Sequence, residues 1–193
     1  MNIIRHPKTF SPRSSKNAGT LACPVFLLYK KRIGMTQPFF SQQKSPLTLE
    51  EVIDEVTLFV EGAPERMYHI IVGSDSRSAH EVELVTAITV WRVGNGAIHF
   101  WTKTEPRAFA QLRDRIYAEV IRSITLAQEV RSRLRDRLHE KISWDDQIHI
   151  DVGEKGPTRE FIDTAVGMVR GYGFEAFIKP QSFGASVVAD RHT

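Results

Sequence analysis

Four carboxylates stand where a 193-residue chain has reason to do chemistry: Asp75, Glu119, Asp151 and Asp190. Asp75 lies in Gly73-Ser74-Asp75-Ser76, where an apolar run turns polar. That composition suits an ordinary turn, and it also puts an acid at the exit of a strand. Glu119 comes seven residues after Leu112 and three after Ile116. A helix therefore carries it on or beside its apolar stripe. A carboxylate facing a core is costly unless it is paired or bound to metal. The plainer alternative is an edge glutamate that snorkels to solvent or pairs with Arg115 or Arg122. Asp151 interrupts a β-type run and shares a strand face with His149, two residues earlier. A strand-end aspartate leading into Gly153 is its plainer reading. No third ligand at a recognisable spacing makes a zinc set of the pair. Asp190 follows Ala185-Ser186-Val187-Val188-Ala189, with three residues after it, and chain ends are usually polar and mobile.

Together these acids suggest more than each does alone. Three of them at one place would repel one another, and a divalent cation relieves that repulsion through oxygen ligands. Two such ions, Mg2+ or Mn2+, roughly 3.5–4 Å apart would clamp a phosphodiester, activate water and stabilise the leaving oxygen.

The elements that must position them can be read from the pattern. Thr48 and Glu51 have capping-box spacing, and Leu49, Val52, Val56 and Phe59 give one apolar helical face ended by Gly62-Ala63-Pro64. Tyr68–Val72 reads as a buried strand and Leu84–Val93 as a second. Gly94-Asn95-Gly96 signals a tight turn, after which Ala97–Thr104 returns as a third strand. Pro106 precedes the longest periodic segment, about Arg107–Lys141, with Phe109, Leu112, Ile116, Val120, Ile124, Ala127, Val130, Leu134 and Leu138 on its core face. Gln147–Val152 is a fourth strand, Thr158 opens a helix ending at Gly171–Gly173, Phe174–Lys179 is a fifth strand, and Ala185–Ala189 starts a terminal helix. This order predicts an α/β fold, a five-stranded mixed sheet flanked by helices. The first strand should be central and should pair with the fourth. Asp75 and Asp151 would then leave neighbouring strand ends, with the long helix bringing Glu119 over them.

Length and a 41% hydrophobic content suit one domain with a substantial core. The net charge of +3 is unevenly spread. Residues 1–34 hold seven Lys/Arg and no acid, leaving 19 basic against 23 acidic residues in the remainder. The basic balance therefore says nothing for bulk nucleic-acid binding by the folded part. We expect 1–44 to be a basic tail and 45–193 the domain. The tail has the composition of an organelle transit peptide. The alternative is an upstream extension with Met35 as the true start. No segment approaches the roughly 20 apolar residues of a membrane helix, and the single cysteine, Cys23, forms no internal disulfide. A cytoplasmic location is expected, with organelle targeting as the alternative.

Several motifs carry a family resemblance: Val72-Gly-Ser-Asp-Ser76, Leu112–Val120, Ile148-His-Ile-Asp151, Gly171-Tyr-Gly-Phe174, Ile178-Lys-Pro180 and Ala185–Asp190. In order and spacing, from about residue 50 to 191, they resemble the bacterial YkuK-type ribonuclease H-like family. The resemblance implies a ribonuclease H-like fold and a nuclease acting on RNA, DNA or a hybrid. It also implies that Asp75, Glu119, Asp151 and Asp190 occupy the superfamily's metal-ligand places, with separations of 44, 32 and 39 residues. The basic tail has no counterpart in the family pattern. His149, Lys179 and Ser186 are weaker candidates for touching substrate. The competing expectation is a non-catalytic or weakly catalytic nucleic-acid-binding or scaffold protein on the same fold, since fold does not fix function.

Overall fold

The computed structural model describes residues 37–42, 46–77, 80–138 and 142–183. In chain order the elements are β1 (Phe39–Phe40), α1 (Leu49–Glu61), β2 (Tyr68–Asp75), β3 (Val85–Arg92), β4 (Ala97–Lys103), α2 (Leu112–Leu138), β5 (Trp144–Ile150), a 3-10 turn (Arg159–Phe161), α3 (Ile162–Gly171) and β6 (Glu175–Phe177). They build a six-stranded mixed sheet in the order β1-β4-β3-β2-β5-β6. The meander β2-β3-β4 is antiparallel, while β5 pairs parallel to β2 and β6 parallel to β5.

The sequence explains most of this directly. Thr48 caps α1 by accepting from the Glu51 N–H at 3.2 Å, and the Glu51 carboxylate answers the Thr48 N–H at 2.7 Å. Val52, Ile53, Val56 and Val60 bury one face of that helix. Gly94 and Gly96 take positive φ in the β3–β4 turn, at 76° and 82°, which side chains with a Cβ rarely adopt. Along β2, Tyr68, Ile70 and Val72 enter the core under α2, with Ile88, Val90 and Phe100 from the next strands. The helix α2 packs across β2 and β5 and buries Ile116, Val120, Ile124, Val130 and Leu134.

Three differences from the expectation bear on the site. The sixth strand, β1, lies inside the stretch read as tail. Phe39 is 2% exposed and pairs opposite Thr102. Its backbone also exchanges hydrogen bonds with Leu47 at 2.8 and 2.7 Å. Next, α2 starts at Leu112 rather than near Arg107, because the chain after β4 first pairs Arg107 with Val82 through bonds of 2.9 and 3.1 Å. Finally, β5 runs from Trp144 to Ile150, so Asp151 is the first residue beyond the strand. The expected helix at Ala185–Ala189 lies outside the described residues.

Candidate active site

Ser74 pairs with Ile150 across the parallel β2–β5 ladder. Asp75 and Asp151 are the next residues on each chain, so they leave the same end of adjacent strands, which lie about 4.8 Å apart in any sheet. Asp75 closes β2, and its Oδ1 accepts the Ser76 N–H at 2.7 Å. Glu119, two turns into α2, points down at this end and is 9% exposed. Ser76 Oγ donates to Glu119 Oε1. The helix thus brings its acid to the strand ends, as the apolar stripe predicted.

The electrostatics couple the three acids. Burial is the main cause that pushes the Glu119 carboxyl up to about 8. Asp75 and Asp151 push it further, while the Ser76 hydrogen bond and the Arg115 guanidinium pull it back. Asp151 is half-buried and carries a counter-ion: Lys179 Nζ lies 2.9 Å from Oδ1 and 3.0 Å from Oδ2. Among the described residues, no three His, Cys, Asp or Glu side chains are gathered closely enough to hold a metal ion as they stand. The acids fit a hard divalent cation in donor type, and they share one end of the sheet. Burial favours the neutral form of Glu119, and the Lys179 ammonium sits on Asp151, so both moderate the negative charge at this end.

Behind the acids runs a buried polar chain. Ser123 Oγ donates to Ser74 Oγ at 2.9 Å, Ser74 Oγ meets Thr86 Oγ1 at 2.8 Å, and Arg122 Nε donates to Thr86 Oγ1 at 2.7 Å. Arg122 is 6% exposed, and burial lowers its guanidinium to about 10. This chain fixes Ser74, and with it the end of β2, against α2. Spacing alone did not reveal it, although Arg122 sits three residues after Glu119 on the same helical face.

The weaker candidates separate. His149 is fully buried, its ring 5.3 Å from Phe177 and 4.9 Å from Phe183, and burial lowers it to about 4. That is the setting of a neutral core histidine. Lys179 does reach one of the acids, Asp151. Ser186 and Asp190 lie outside the described residues. Thr158 does not cap the following turn with its side chain; its Oγ1 instead accepts the Gly153 N–H at 3.3 Å. An open cavity of about 410 Å³ lies beside the start of α2, between Val82, Leu112 and Pro157, with Arg115 in its wall.

Comparisons with known proteins agree with this architecture. A sequence model of the Ribonuclease H-like family matches residues 51–193. The chain is 27% identical over 168 residues, covering 80% of itself and 96% of the relative, to "Uncharacterized protein YkuK" of Bacillus subtilis (strain 168). No solved structure matches. Among the described residues, no helix is long and apolar enough to cross a membrane.

Proposed function

This chain belongs to the ribonuclease H-like family, and from that premise we propose a metal-dependent nuclease that hydrolyses phosphodiester bonds of nucleic acid. The observation that carries the reading is geometric: Glu119, buried and bonded to Ser76, stands at the sheet end where Asp75 and Asp151 leave adjacent strands. Burying Glu119 at the sheet end shared by two aspartates disfavours its charged form, and a bound cation would offset that cost.

Asp75, Glu119 and Asp151 would hold the ions, with Asp190 as a fourth ligand brought from near the C-terminus. Two Mg2+ or Mn2+ ions bound there would activate a water and stabilise the departing oxygen. The chain's own residues do the rest. Ser76 orients Glu119 through its hydroxyl. The buried Ser74–Thr86–Arg122 chain holds the Asp75 strand end in place. Arg115 and the cavity beside it offer a cationic wall to the backbone of a nucleic acid. Lys179 supplies a second positive charge, on Asp151.

A screen of RNA, DNA, hybrid and branched substrates with Mg2+ and with Mn2+ tests the reading. Cleavage by the wild type and its loss in Asp75→Asn is the expected outcome. Asp190→Asn should lower turnover more than metal affinity, and less severely than Asp75→Asn. The Lys179–Asp151 ion pair favours a second reading, a weakly catalytic nucleic-acid-binding protein in which the ammonium keeps the acids neutralised. Binding without cleavage under both metals would select it.

A further inference from the structure

Lys179 is positioned with unusual care for a residue just past a three-residue strand. Its N–H donates to the Val152 carbonyl at 2.9 Å, tying it to the residue after Asp151. Its stem crosses Gly153 so closely that a Cβ there would lie 3.1 Å from the Lys179 Cβ. The backbone is therefore pinned, and the ammonium reaches both Asp151 oxygens. Yet the Lys179 side chain is 51% exposed against 21% for Asp151. A flexible four-carbon stem with an open side can swing away without moving the backbone. An ion pair that is half in water is also weak enough to exchange.

We propose that Lys179 is a built-in placeholder on Asp151: its ammonium neutralises the acid in the metal-free protein and must leave before Asp151 can ligate a divalent cation. This rests on the reading of the acids as a metal site. It assigns Lys179 as a positioning residue that sets the affinity of metal loading. The placeholder keeps the free protein from accumulating negative charge at the strand ends.

The test is calorimetric titration of the metal-free full-length protein with Mn2+. The wild type, Lys179→Met, Asp151→Asn and the double variant are compared. Methionine keeps the stem over Gly153 and removes the charge. Lys179→Gln is the second variant, should the first fail to melt cooperatively. Lys179→Met should bind Mn2+ about two- to fivefold more tightly than the wild type, the range that release of a half-exposed ion pair supports. The gain should vanish in the Asp151→Asn background. If the wild type binds Mn2+ and removal of Lys179 leaves affinity unchanged or weaker, the placeholder is refuted while the metal site stands. A gain that persists without Asp151 also refutes it, since the effect would then be diffuse charge. Should neither the wild type nor either Lys179 variant bind Mn2+, both the placeholder and the metal site fall.

Discussion

Glu119 combines the two demands on this protein in one side chain. It is buried because α2 must pack on the sheet, and it is acidic at a cost to the metal-free fold. Its pKa of about 8 lies above the ordinary 4.5, so the folded state favours the protonated form. The resulting stability is fully present below pH 4.5 and is lost as pH rises through 8. The charged groups that act on it are Asp75, Asp151 and Arg115, and Ser76 is its hydrogen-bond partner. Metal-free protein should therefore melt progressively lower as pH rises from about 4.5 to 8, apart from other titrations. Glu119→Gln keeps the shape without the titration and should flatten that profile, melting above the wild type at pH 9. Thermal scans across the range would reveal it, and parallel profiles for the two proteins would reject it. Glu119 was legible in the sequence because a helical stripe exposes an out-of-place acid. Ser76 and Arg122 were not, since each takes its role from a partner more than thirty residues away.

At the scale of elements, periodicity located the pieces and long-range pairing adjusted their ends. Both neighbours of β2 were predictable, because a tight Gly-Asn-Gly turn forces the meander and the βαβ crossover through α2 brings β5 alongside in parallel. The start of α2 was not, because the backbone bonds between Arg107 and Val82 compete with the first helical turn. The edge strand β1 was invisible for a related reason. Two residues show no alternation, and only the pairing with Thr102 and Trp101 makes them a strand. Phe39 nevertheless fills the core, whereas Phe40 is half-buried and stacks on Trp101 at 6.2 Å between centroids. Phe39→Ala should cost about 3–5 kcal/mol, and Phe40→Ala clearly less. Denaturant titration of both variants measures the difference. Equal, small losses would mean that β1 adds nothing to the sheet's stability.

For the whole molecule, the division of charge leads to a prediction that separates binding from catalysis. Residues 1–34 carry seven Lys/Arg and no acid, and the rest carries four more acids than bases. Attraction of a polyanion depends on counterions released by phosphate-neutralising cations, so its salt dependence tracks how many cations take part. The acidic remainder, with a site built from carboxylates, gives little of that attraction. We therefore expect a chain starting at Met35, which retains Phe39 and the edge strand, to melt at the wild-type temperature and to keep any metal-dependent cleavage. Its binding to single- or double-stranded nucleic acid should weaken at low salt, and the slope of log affinity against log salt should shrink by several units. The sequence made this division legible through composition alone, needing no fold. Binding isotherms at four or five salt concentrations, with and without residues 1–34, decide the matter. An unchanged slope would move the cationic surface onto the domain, where Arg107, Arg113 and Arg115 near the start of α2 would be the residues to vary next. A lower melting temperature without those residues would instead mean that apolar side chains such as Phe26, Leu27 and Leu28 contribute to the core.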